Sequence, residues 1–402
     1  MSDLFFLPDW RAAAQALPWH ALLLLGAALA GEAVQRWLRL PRMLGWIAVG
    51  AALGPHALGA LREADLAQMA PILDVALGVV LFELGQRVDP AWLRRNPGLL
   101  ATSVLEAACA FGAMYAVLLA VEAPPLIAAV AAAIGISTSP AVILTVAREL
   151  RAQGQVTERA LLLSALNSAY AFVAVGVLMS WVAREHALDW RAAVLHPLYL
   201  VFGSLASAGA FAVATLALLR LLGRRHDTQF LCVIALIAGA VWAAEQLRLS
   251  TALTLLAYGV GIRILDRRRL FVALSFGRVG SILLILLFAL TAARLDWRLF
   301  GPGAVAGGVL VAARIAGRQL GVLALAPAAA LPLRKASLLA LALTPMSAVA
   351  VVLLHETARF YPRLGADLGA IVVSAILMME LLGPLLAHFA LSRAGEAAPE
   401  PR

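Results

Sequence analysis

Long apolar runs separated by short polar interruptions make up almost the entire chain. Thirteen runs fall near 18–37, 41–60, 67–87, 97–121, 124–147, 158–183, 195–222, 228–246, 249–265, 276–293, 301–325, 333–355 and 365–391. Each approaches the roughly 20 residues an α-helix needs to cross a bilayer, with tilt taking up the excess. The pattern predicts an all-α polytopic membrane protein of about 13 transmembrane helices. Two runs are interrupted in their middles, one by Ser137-Thr138-Ser139-Pro140 and one by Thr344-Pro345. Proline removes a backbone donor and clashes with the preceding turn. In a bilayer such a break is tolerated where protein or a water-filled cavity meets the freed groups. These stretches read as broken helices around a binding site, although the first also suits a proline kink with its hydroxyls bonded back to carbonyls. The run after the first break carries the polar pair Asn167-Ser168 at its centre.

Composition agrees with the pattern. The hydrophobic fraction is 63% and the mean hydropathy is +0.91, well above a soluble domain. The net charge of +9 comes from 31 arginines and the single Lys335. These charges lie in short loops, which fits membrane topology rather than nucleic acid. Sorted by alternate loops, 21 fall on one side and nine on the other, with Arg314 and Arg318 inside a span. The arginine run at 267–269 belongs to the richer side. The positive-inside rule puts that side in the cytoplasm, the N-terminus outside and the C-terminus inside a cell membrane. No removable leader is expected, so the first span is retained. One transporter domain is expected over 1–391, followed by a short cytoplasmic tail, 392–402. Cys109 and Cys232 sit in apolar spans without neighbours at metal-ligand spacing. The seven histidines lie mostly at span ends, where solvated imidazole suffices, and no phosphate loop, zinc motif or nucleophile triad is present. No enzyme activity, cofactor or nucleic-acid partner is expected.

The chain also repeats itself. LFELGQRVDPAWL (81–93) matches LFALTAARLDWRLF (287–300), Gly50 and Gly54 match Gly259 and Gly261, and the break at Pro140 matches that at Pro345. The offsets are about 205–209 residues. Repeat one would span about 18–183, a linker helix 195–222, and repeat two about 228–391. Seven spans of offset inverts the second copy, the plan of many secondary transporters, in which matched interrupted helices mark the site. At a rise of about 1.5 Å per residue, Pro140, Asn167, Arg314 and Pro345 all fall near mid-membrane.

At these residues the chain resembles the cation/proton antiporter, or sodium/hydrogen exchanger, superfamily. LRLPRMLGWIAVGAALGPHALG (38–59) is similar to the family's second helix and ALGVVLFELGQRVDP (76–90) to its third. STSPAV (137–142) and ALNSAY (165–170) resemble its broken helix and ion-site helix. VAARIAGRQLG (311–321), LALTPMSAVAVVLL (341–354) and MMELLGPLLAHFAL (378–391) resemble its late helices. The resemblance implies a homodimer with a scaffold and a moving core domain, exchanging Na⁺, K⁺ or Li⁺ for protons by an elevator-like motion. It implies cation ligands among Thr138, Asn167 and Ser168, flanked by Ser139 and Thr344.

One departure matters. Where the family's ion-site helix carries an Asp-Asp or Asn-Asp pair, this chain has Asn167-Ser168. A serine hydroxyl offers a neutral oxygen but exchanges no proton near neutral pH. Another carboxylate must carry the proton, or coupling differs. Glu83, Glu106 and Glu380 lie within spans, and Asp74 and Glu32 nearer span ends. A charge at that depth costs about 2.5–3.5 kcal/mol on insertion scales, so it has a partner or a role. Arg314 is expected to pair with Glu83 or Glu106. Three readings follow: an antiporter with an atypical site, a same-fold transporter with altered coupling or an anionic substrate, and a non-transporting sensor or assembly member.

Overall fold

A computed structural model describes residues 19–185, 190–222, 226–266, 277–346, 348–360 and 365–398. Residues 1–18, the arginine run 267–269, His186 and tail residues 399–402 lie outside them. The described residues are helical with short connections and hold no strand. In chain order the α-helices are α1 Trp19–Ala33, α2 Met43–Leu53, α3 Glu63–Gln68, α4 Ala70–Arg87, α5 Pro90–Arg95, α6 Pro97–Ala120, α7 Pro125–Ile136, α8 Pro140–Glu149 and α9 Gln155–Glu185. There follow α10 Trp190–Leu222, α11 His226–Gln246, α12 Thr251–Leu265, α13 Gly277–Arg294, α14 Phe300–Ala324, α15 Leu333–Ala342, α16 Ala348–Phe360 and α17 Gly365–Arg393. Helix occupies every apolar run read from the sequence. Among the described residues, eight helices are long and apolar enough to cross a membrane, and four shorter apolar helices accompany them.

Local chemistry sets the boundaries. Proline opens α5, α6, α7 and α8, where its missing N–H has no intrahelical partner to lose. Asp89 caps α5, its carboxylate accepting from the backbone N–H of Ala91 at 2.9 Å and Trp92 at 3.1 Å. Ser250 caps α12 through Leu253 N–H. The run at 41–60 forms a shorter helix than expected, because the chain turns extended at Gly54, before Pro55.

Packing divides the helices into two groups. One joins α1 to α2, α2 to α13, and α4 to α12, α13 and α11. The other joins α6 to α14 and α7, α14 to α15 and α17, and α9 to α7, α8 and α15. Helix α10 packs on α11 and α12 of the first group and on α9 of the second. Glycines permit the closest approaches. A Cβ at Gly50 would strike the Ala289 carbonyl, and one at Gly259 the Phe82 carbonyl. Outward side chains such as Leu221, Phe202 and Trp242 stay exposed, a surface suited to lipid.

Candidate functional site

The two breaks meet. Helix α7 stops at Ile136 and α8 restarts at Pro140; α15 stops at Ala342 and α16 restarts at Ala348. Pro140 is therefore the first residue of a new half-helix, not a kink within one. Ser139 N–H donates to the Pro345 carbonyl at 2.9 Å, and the Thr138 hydroxyl donates to the Leu343 carbonyl at 3.2 Å. Each interrupted helix thus supplies groups the other has freed.

Both half-helices that end here, α7 and α15, present carbonyls and the negative end of a helix dipole. Arginines on α14 answer them. Arg314 donates from Nε to the Thr344 carbonyl at 3.1 Å and through Nη2 to the carbonyls of Ser137 at 2.6 Å, Pro345 at 3.3 Å and Leu343 at 3.5 Å. Arg318, one turn on, donates through Nη2 to the Ile136 carbonyl at 2.6 Å. Its Nη1 forms a short ion pair with Glu106 of α6. Arg314, Arg318 and Glu106 are all 0% exposed. Glycines bring α6 and α14 together around the pair. A Cβ at Gly317 would meet the Cys109 carbonyl and Ala110, and one at Gly321 the backbone of Glu106.

Glu106 also faces the centre of α9. Asn167 donates from Nδ2 to Glu106 Oε1 at 3.3 Å and to the Thr138 hydroxyl at 3.3 Å. Ser168 donates to the Thr138 carbonyl at 3.2 Å and to the Ser164 carbonyl at 2.9 Å. Among the described residues, Glu106 Oε2, Asn167 Oδ1 and the Ser139 hydroxyl are buried with no hydrogen-bond partner. A buried acceptor left bare costs about 1–3 kcal/mol. Thr138, Asn167 and Glu106 therefore form one cluster of hard oxygens, of the chemistry that suits an alkali cation or a proton. Thr344 contributes its backbone carbonyl to Arg314, while its hydroxyl bonds back to Leu341 at 2.7 Å.

Two expectations are corrected. Arg314 does not pair with Glu83 or Glu106, because the carbonyls of both breaks surround its guanidinium. Glu106 is taken instead by Arg318, which sequence reasoning left inside a span without a role. The Gly317-Arg318 and Gly321 spacing was its available signal, since small residues on one helix face bring a partner helix close. Glu83 lies away from the crossing, near the end of α4. Its carboxylate is held by Arg148 of α8 at 2.6 Å, with Arg87 at 3.7 Å. Glu380, on α17, is buried, and one turn later Gly383 packs on Pro345. Glu32 lies exposed beside Arg42 at 3.4 Å.

Two cavities lie along the boundary between the helix groups. One, of about 590 Å³, is lined by Arg87, Asp89 and Arg263 from the first group and Glu158, Arg159 and Leu162 from the second. The other, of about 330 Å³, is lined by α4, α11, α12 and α13 on one side and α16 on the other.

Paired interrupted helices, charged groups at their crossing and a bilayer-facing exterior define a secondary transporter of the broken-helix type. The family model for the sodium/hydrogen exchanger, transmembrane, matches residues 21–392, and the chain belongs to that family. Two solved structures of MjNhaP1, the sodium proton antiporter from Methanocaldococcus jannaschii, are similar to it. One gives a TM-score of 0.68 at 15% identity, covering 95% of this chain and 99% of that one. The other gives 0.69 at 16% identity, covering 96% and 99%. At that identity the likeness carries the fold. Comparison with curated proteins finds no match.

Proposed function

We propose that the chain exchanges a monovalent cation for protons across the membrane, with Glu106 as the proton carrier. The observation that carries this reading is the buried Glu106 carboxylate. Its Oε1 takes both Arg318 and the Asn167 amide, and its Oε2 is buried with no partner among the described residues. A dehydrated Na⁺, Li⁺ or K⁺ would take Glu106 Oε2, Asn167 Oδ1 and the Thr138 and Ser139 hydroxyls as ligands. Protonation of Glu106 would remove the charge that holds it, so cation and proton compete for one group. Ser168 then serves as a positioning residue, through its bond to the Thr138 carbonyl. The anionic-substrate reading rests on less, because Arg314 turns Nε and Nη2 to carbonyls and leaves only its Nη1 and Arg318 Nε without partners among the described residues.

An elevator-like motion is supported by the two helix groups, joined by α10, with a cavity at each end of their shared boundary. The inverted repeat is supported by the matched approaches of Gly50 to Ala289 and Gly259 to Phe82, since the partners are offset by about the same interval as the glycines. Residence in the cell membrane with a cytoplasmic C-terminus follows from the 21-to-nine charge asymmetry, and homodimerisation from the family resemblance.

The test uses purified protein in proteoliposomes with an imposed pH gradient, to which Na⁺, Li⁺ and K⁺ are added in turn. Wild type is expected to collapse the gradient with at least one ion, and Glu106→Gln to abolish this while Glu83→Gln retains it. An unchanged Glu106→Gln would remove Glu106 as the carrier. Silence of wild type with every ion would sink the exchange reading, and a gain of activity in Ser168→Asp would then identify a retuned exchanger site.

A further inference from the structure

The smaller cavity gathers charged groups from four helices. Three carboxylates line it from three different helices: Asp74 of α4, Glu245 of α11 and Glu356 of α16. Against them stand Arg294 of α13 and His355 of α16. The α12 lining, Thr251, Ala252 and Leu255, adds no charge. Arg294 is partly engaged elsewhere, since its Nη2 donates to the Leu66 carbonyl at 2.8 Å. His355 Nδ1 lies 2.9 Å from the Val351 carbonyl and so is its donor. None of the three carboxylates has a cation within 4.0 Å among the described residues. The lining thus sets three carboxyl groups against one guanidinium and one imidazole.

An independent feature points to a ligand. Thr291 of α13 lines the same cavity, is 1% exposed, and its hydroxyl has no hydrogen-bond partner among the described residues. A buried hydroxyl is ordinarily satisfied by protein or ordered water. Here it belongs to the wall of an acidic chamber.

We propose that this chamber is a second cation site, separate from the broken-helix crossing, which holds a hydrated monovalent cation. The described acidic and imidazole groups form no cluster close enough to grip one metal ion directly. The cavity volume of about 330 Å³ instead accommodates an ion with its first water shell, at about 30 Å³ per water. Carboxylates hold the shell from three sides, and Thr291 gives it one fixed hydroxyl. The lining includes Ala348 of α16, the first residue of the half-helix that follows the second break, so the chamber adjoins the crossing. Binding here does not depend on transport. Its use as a loading station rests on the exchange reading above.

The site is tested by ²³Na relaxation with protein in nanodiscs, titrated with LiCl and KCl. Wild type should show excess relaxation that millimolar Li⁺ and K⁺ displace. Glu245→Gln, at an exposed position that tolerates the change, and the triple variant Asp74→Asn/Glu245→Gln/Glu356→Gln should each remove part of it. Glu106→Gln should retain that same part. Full relaxation in a monodisperse Glu245→Gln and triple variant overturns the site, as does displacement of Na⁺ by micromolar Ca²⁺, which would mark a divalent site. In proteoliposomes the half-saturating Na⁺ concentration on this side should rise about threefold to tenfold in Glu245→Gln, the scale of lost electrostatic focusing. Silent wild-type liposomes together with a variant-sensitive Na⁺ signal would overturn exchange and leave this site standing.

Discussion

Glu106 and Arg318 bury opposite charges, each 0% exposed. Breaking such a pair by removing one partner costs about 3–5 kcal/mol, because the remaining charge is stranded. Glu106→Gln should therefore lower the thermal stability of the detergent-solubilised protein as well as its coupling. Part of that loss should return in Glu106→Gln/Arg318→Gln, where both charges are gone. A fully additive double variant would count against the pair as a unit. Arg314 makes a different prediction. Its planar fork reaches four carbonyls, which a lysine ammonium on a single stem does not reproduce. Arg314→Lys should destabilise the protein by about 2 kcal/mol or more, since several buried carbonyls lose donors, although the charge is retained. Sequence reading nominated Arg314, Glu106, Thr138 and Asn167 by their depth and type, and the structure brings them together at the crossing. Sequence reading mispaired the arginine, because two arginines one turn apart are equivalent in a sequence. Only their separate neighbours distinguish them.

At the scale of elements, glycines and caps set how helices meet. Gly50→Ala and Gly259→Ala each place a methyl group against a carbonyl of the facing helix. Neither backbone yields cheaply, so each variant should lose about 1–3 kcal/mol, as overpacked cores do, read as a lower melting temperature in detergent. Asp89 offers a pH test on a connecting segment. Hydrogen bonds from the backbone N–H of Trp92 and Ala91, aided by Arg263 and Arg95, hold its carboxyl below the ordinary value of 3.8. A depressed carboxyl stabilises the folded state above its unfolded value and loses that contribution as pH falls through the lower folded value. Asp89→Ala should therefore cost about 1 kcal/mol, the usual value of such a cap, at neutral pH, and the difference from wild type should shrink as pH falls below 3.8. A difference independent of pH would assign the cap to something other than the carboxylate.

The whole molecule turns on the boundary between its two helix groups. Glu83 and Arg148 span it beside the larger cavity, and Arg87 reaches Glu158 across it at 3.7 Å. Glu83, a candidate proton carrier or structural ion pair in the sequence, is paired to Arg148 and Arg87, which suits a strut between groups. Glu83→Gln should ease separation on this side by about 1 kcal/mol, the upper end for a partly exposed pair, and so raise thiol labelling of Leu162→Cys about fivefold. The labelled protein needs Cys109 and Cys232 replaced, since both are partly exposed. Unchanged labelling would mean that the pair does not restrain the boundary.

The helices themselves were legible in the chain, because lipid demands that each spanning segment satisfy its own backbone and bury no stray charge. Apolar run length, prolines at helix starts and arginine asymmetry report on that local demand. The two breaks were legible for the same reason: polar residues and proline at mid-span are costly wherever nothing meets them. What meets them lies about 170–205 residues away along the chain, as with Ser137 and Arg314 or Thr138 and Leu343. A sequence carries no distance between such positions. The partner of each arginine, the open oxygens around Glu106, the strut at Glu83 and the acidic chamber behind α16 came into being only when the helices packed.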